Sequence, residues 1–269
     1  MNAFINHFVF EFKTGLRNSN HLMMNYLFPL AFYAMMGLIM TRINPGFAQV
    51  LIPAMVVFAT MASTVLGLPN PLVELREAGV FRSYKINGIP AISILIIPVV
   101  TTIFHALIVS AIITLTAKPF FGGVMPVHIV PYILITLLIA FNFGAIGALI
   151  GVISANSRAT VLWSQLLFLP SMLIGGMMVP ISLLPSTAQP LAALLPSSHA
   201  MQAYLGLAYG QPTTFNTTVS IWVLVASLLL GFSLAIYLFN WDSKNQTRRG
   251  HPLMALLILI PYIAAILLV

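Results

Sequence analysis

Charged side chains are scarce in this chain of 269 residues, which has 11 Lys and Arg and four Asp and Glu. Five of them, Glu74, Arg76, Glu77, Arg82 and Lys85, crowd into Pro71–Pro90, PLVELREAGVFRSYKINGIP. Acids and bases set this close can form ion pairs and charge-assisted hydrogen bonds with another protein. A signal for membrane orientation would need only the Lys and Arg, because acids contribute little to it, so Glu74 and Glu77 point to a recognition surface. If the stretch is one helix, Glu74, Ala78, Phe81 and Lys85 share a face, with an aromatic between opposite charges. Such a knob suits a groove on a partner.

Other residues that could do chemistry are isolated. His105 and Asn142 fall in the middle of apolar segments, where a polar group is a functional suspect. The competing reading is an interhelical hydrogen bond each, worth about 0.6 kcal/mol on average. No acid lies in any apolar segment to complete a proton relay, so packing is favoured. His7, His21, His128, His199 and His251 are scattered without metal-ligand spacing. With no cysteine, disulfides, thiolate metal sites and cysteine nucleophiles are excluded. No G-x-x-x-x-G-K-[ST] phosphate loop occurs, so the chain is not read as an enzyme and any ATP would be hydrolysed by another chain.

The elements that position these residues are apolar and long. The chain is 60% hydrophobic and 6% charged, against roughly a quarter charged in soluble domains. That implies an all-α integral membrane protein, since a spanning helix needs about 20 apolar residues. Six spans are expected, over 22–41, 49–69, 89–117, 127–153, 159–179 and 215–241, and residues 252–269 are expected to add a seventh. Phe4, Ile5, Phe8, Phe12 and Leu16 recur at helical spacing, which predicts an N-terminal helix lying in the membrane interface. Between Arg158 and Asp242 there is no Asp, Glu, Lys or Arg. There Pro180, Pro185, Pro190 and Pro196 cut the chain into pieces too short to span. Leucines among them still require burial, which predicts re-entrant helices packed against protein.

Basic residues set the expected orientation. With the N-terminus inside, Lys13, Arg17, Arg76, Arg82, Lys85, Arg158, Lys244, Arg248 and Arg249 are cytoplasmic and only Arg42 and Lys118 are outside. The charged hairpin is then cytoplasmic and the proline-rich segment extracellular. The net charge of +7 reads as topology, not as affinity for nucleic acid.

Two stretches resemble the ABC-2 type permease family, the membrane subunits of one class of ABC exporters. Arg76-Glu77-Ala78-Gly79, then Phe81-Arg82 and Pro90, is similar to the family's cytoplasmic E-R-E-x-G…P segment between spans two and three. Leu75 stands where the family often has its first acid, with Glu74 one place earlier. Gly175-Gly176, Pro180, Leu184-Pro185 and Leu195-Pro196 resemble the family's S-G…P…L-P…L…P pattern, with Gly175 in the place of serine. The likeness covers residues 1–242, read as the transmembrane domain, and leaves 243–269 as a C-terminal extension.

The resemblance implies six spans per subunit and pairing with a second permease copy or a related permease. It also implies separate ATP-binding subunits that hold ATP and Mg, while this chain binds no cofactor itself. It narrows coupling to Arg76, Glu77, Gly79 and Arg82, to which the charged-face reading adds Glu74 and Phe81, and it implies an extracellular gate at Gly175, Gly176, Pro180, Pro185 and Pro196. A multi-pass location in a bacterial inner or plasma membrane follows, in contact with lipid, with drugs, lipids or peptides as the cargo class. The rival readings are an ion-coupled secondary carrier, which would show paired repeats and ionisable residues within spans, and a membrane-embedded enzyme, which would need a nucleophile–base pair.

Overall fold

In the computed structural model residues 12–13, 19–242 and 250–267 are described. The expected interfacial helix lies outside these residues apart from Phe12 and Lys13, and so do the basic residues Lys244, Arg248 and Arg249. The described residues form helices and connecting turns without a strand. Five helices are long and apolar enough to cross a membrane: α1 (Met23–Ile43), α2 (Leu51–Glu77), α4 (Ala91–Phe121), α5 (Ile129–Ile153) and α9 (Thr217–Leu238). Between α2 and α4 lies the short α3 (Val80–Ile86).

The fifth expected span is α6 (Ser157–Ile174), of 18 residues. It stops at Gly175, short of the expected Val179, and polar residues such as Arg158, Ser164, Gln165 and Ser171 make it less apolar than the other five. At about 1.5 Å per residue it is still roughly 27 Å long.

Helix α2 is the core of the bundle, with every residue from Leu51 to Val65 buried. It runs past the predicted end at Pro69 and continues to Glu77. The continuation works because Ala62–Gly67 is a wider π-helical segment, and Pro69 and Pro71 fall in the turns just after it. A proline near a helix start loses little by lacking its N–H. Against this segment packs α5, where Gly147 leaves no room for a Cβ beside the Thr64 carbonyl. Gly144 and Gly151 on the same stripe lie against Val99 and Leu72. Small residues here bring backbones together inside one chain.

After α6 the chain folds into pieces: a 3₁₀ turn at Ile181–Leu183, α7 (Gln189–Ala193) and α8 (Pro196–Ala203). Every residue of α8 is buried, as expected for a re-entrant element that packs on protein. The C-terminal segment, α10 (Pro252–Ile266), is an eight-residue 3₁₀ stretch followed by seven α residues. At roughly 2.0 and 1.5 Å per residue these cover about 26 Å, close to a hydrocarbon core of about 30 Å. It runs antiparallel to α9, from Gly250 beside Leu238, past Ile258 beside Gly231, to Ala265 beside Val223.

Candidate functional site

The charged hairpin is two helices joined at Gly79, an elbow. Gly79 adopts φ 76°, a left-handed conformation that ends α2 and lets α3 leave at an angle. The turn is closed by Ala78 N–H donating to the Glu74 carbonyl at 2.9 Å and by Gly79 N–H donating to the Arg76 carbonyl at 3.1 Å. The expected single face of Glu74, Ala78, Phe81 and Lys85 therefore does not exist, because the break puts the first two and the last two on different helices.

The elbow also divides the six predicted coupling residues. Arg76 points inward, at 6% exposure. Its guanidinium donates to the carbonyls of Val152 at 2.9 Å, Gly151 at 3.4 Å and Ser154, capping the C-terminal end of α5. A cation is well placed there, where helix carbonyls lack intrahelical donors and the dipole is negative. Phe81 is buried against Phe239 of α9, ring centroids 5.7 Å apart. It anchors the elbow and is not the expected outward knob. Arg82 is exposed and ion-pairs with Asp242, just beyond α9. Lys85 sits 6.0 Å above the Trp241 ring.

Exposed on the elbow, beside small and polar residues such as Ala78, Ser83 and Asn87, are Glu77, without a partner among the described residues, and the large apolar Ile86 at 80% exposure. Ile86 was missed in the sequence, although an isoleucine beside an Asn87-Gly88 turn in a charged loop was a legible signal. Asp242 was missed as well. Glu74 differs from Glu77: it accepts a 2.6 Å hydrogen bond from the Asn70 side chain and lies on the wall of a cleft between α2 and α6.

At the opposite end of the bundle the predicted gate residues surround α8. Gly175 packs so tightly on Ser197 and the Ser171 carbonyl that a Cβ would overlap both. The serine usual in the resembling pattern has no room there. Gly176 adopts φ 85° and, with Pro180, lines a cavity of about 430 Å³ together with Ile181, Gln202 and Thr214. Pro185 begins a turn, its carbonyl accepting from Ala188 N–H at 2.8 Å, and Pro196 opens α8. His199 is fully buried, with Nε2 2.8 Å from the Ala193 carbonyl and Nδ1 3.1 Å from Ser220 Oγ. The carbonyl can only accept, so Nε2 carries the proton and Nδ1 accepts from Ser220. The Gln202 side-chain oxygen accepts from the backbone N–H groups of Thr214 and Phe215, at 2.7 and 3.3 Å.

The two mid-span polar residues serve different neighbourhoods. Asn142 donates to the Leu224 carbonyl at 2.8 Å and to Ser227 Oγ, which also receives the Tyr262 hydroxyl at 2.7 Å. One buried network thus ties α5, α9 and α10 together. His105 bonds the Tyr26 hydroxyl at 2.6 Å through Nδ1 and stacks on Phe12, centroids 4.6 Å apart. Among the described residues no group of three His, Cys, Asp or Glu could hold a metal.

Comparison with known proteins converges on this architecture. Residues 36–237 match a family model described as an ABC-2 family transporter protein. The chain is also similar to YvfS of Bacillus subtilis (strain 168), a protein named as a transport permease. The two are 25% identical over 242 residues, which is 88% of this chain and 97% of the relative.

Proposed function

The chain belongs to the ABC-2 transporter family and is a multi-pass membrane permease, and from that premise we propose that it is the membrane half of an ATP-driven exporter. It is coupled through the elbow to a separate ATPase that holds ATP and Mg. The observation that carries this is the division of the elbow into a fixed side and a free side. Arg76, Phe81 and Arg82 bind it to α5 and α9, while Glu77 and Ile86 face water. A push on the free side therefore moves the ends of two long helices, which is what coupling requires. The free side offers two of the elements of a small docking surface, an apolar anchor at Ile86 and an acid at Glu77 without a partner among the described residues. In this reading the elbow end is the cytoplasmic one, a placement supported by the excess of basic residues on that side.

In this mechanism two copies of the chain, or this chain and a related permease, enclose a path between them. Closure of the ATPases rocks the bundles, and the segment around α8 opens on the outer side. Gly175, Gly176, Pro180, Pro185 and Pro196 form the frame of that outer gate. The test is co-purification with the cognate ATPase and measurement of ATP hydrolysis by the reconstituted pair. Ile86→Asp and Glu77→Lys should abolish co-purification while leaving the permease's own unfolding temperature unchanged. Normal assembly and hydrolysis in the double variant would sink the reading.

A further inference from the structure

The wall on which Glu74 lies belongs to a cleft of about 420 Å³ at the elbow end of the bundle. Its two sides are facing helix stripes. Leu66, Gly67, Asn70 and Glu74 follow one another along α2, and Thr160, Val161, Ser164 and Gln165 along α6. From Leu66 to Glu74 the α2 side is about 12 Å long at 1.5 Å per residue. Met24 of α1 closes the inner end, with His21 also on the wall. Glu74 is the one acid of the described lining, which contains no Lys or Arg.

Three observations mark the cleft as built for a ligand. First, hydrogen-bonding capacity is left over around it: the Ser164 hydroxyl and the Asn70 side-chain oxygen are buried without a partner among the described residues. Such groups are rare in native proteins, and each calls for an explanation. Second, two of the three π-helical segments among the described residues, Met23–Leu27 and Ala62–Gly67, meet at its inner end. A Cβ on Gly67 would lie 3.4 Å from Met24 Cβ and from Asn25 Oδ1. Widened turns of this kind recur at functional sites. Third, the one charge, Glu74, sits with Asn70 toward the elbow, while Met24 and Leu66 give the inner end apolar walls beside Ser164 and Gln165.

We propose that this cleft binds an amphipathic cation, an ammonium or amidinium group on an apolar body, with Glu74 as its counter-charge. The inference rests on the transport reading, in that the bound cation would be cargo waiting at the cytoplasmic face. Asn70 holds the carboxylate from one side and leaves its other oxygen for the ligand. The apolar body runs past Val161 toward Met24 and Leu66 at the inner end. The two acids of the elbow thus have separate tasks, Glu77 toward the ATPase and Glu74 toward the cargo.

The test is equilibrium binding to the full chain alone in neutral phosphatidylcholine nanodiscs. Ethidium serves as the cationic probe and N-phenyl-1-naphthylamine as an uncharged one of similar apolar bulk. Saturable ethidium binding is expected, weakened at least tenfold by Glu74→Gln and less by Glu74→Asp, while affinity for the uncharged dye does not change. Val161→Trp, a substitution at an exposed position of α6, should fill the cleft and block ethidium. Ethidium affinity unchanged in Glu74→Gln, or an equal loss for both dyes, overturns the proposal. No ATPase is present, so failure here leaves the exporter reading standing. Conversely, binding without ATP-driven dye movement in the reconstituted pair would count against the exporter reading alone.

Discussion

The two ends of the bundle are held by different chemistry. At the elbow end the ties are ionic: Arg76 on the α5 carbonyls, Arg82 on Asp242, Lys85 over Trp241. At the opposite end they are neutral: His199 between Ala193 and Ser220, Gln202 on the 214–215 backbone, Ser197 wedged against Gly175. The elbow exposes much of its surface, and α8 exposes none of its residues. Burying an unpaired charge costs several kcal/mol, so an element packed wholly within apolar surroundings must be tied by uncharged donors. Charge is affordable where water reaches. Arg76 marks the boundary, since it is buried but surrounded by the oxygens at a helix end.

This contrast can be broken experimentally, beginning with the largest effect. Arg76→Ala removes the donor to three carbonyls at a buried helix end and should cost about 3 kcal/mol or more, each unmade buried bond costing roughly 1–3. Thermal unfolding in detergent would show it, and Arg76→Lys should recover only part. At the other end Gly175→Ala forces a Cβ into Ser197 and the Ser171 carbonyl, an overpacking cost of about 1–3 kcal/mol. Adding Ser197→Gly should return part of the loss, and no recovery would show that the backbone clash dominates. In the shared middle, Asn142→Leu should cost about 1 kcal/mol. A cycle with Tyr262→Phe should be non-additive, because both side chains meet at Ser227. Smallest is Arg82→Ala, about 0.5 kcal/mol at an exposed pair and vanishing at high salt. A large, salt-independent loss there would erase the distinction between the two ends.

Much of this was legible in the residues, and the remainder follows from how helices continue or stop. The spans were visible because apolar runs of this length have few alternatives, and the prolines between Pro180 and Pro196 announced the short pieces around α8. Span boundaries shifted where local backbone prevailed. The π segment carried α2 through Pro69, and Gly175 ended α6 early. At the elbow the residue types were informative but their directions were not. A period argument that assumes one helix cannot see the left-handed turn at Gly79, so Phe81 was expected as an outward knob when it points in. Long-range partners such as Asp242 for Arg82, 160 residues apart, have no local signature at all.

The 3₁₀ stretch that opens α10 has a consequence for the evolution of this chain end. With three residues per turn, side chains three apart stack in straight rows. Pro252, Ala255 and Ile258 form the row turned toward the bundle, with Ala255 buried, while Leu253 and Leu256 form an exposed one. A single residue deleted before Ala255 would turn the following rows by a third of a revolution, bringing Leu256 where alanine fits against the bundle. Deleting two brings Leu257 there, and an insertion displaces Ala255 from the row, so length changes here should be tolerated in steps of three.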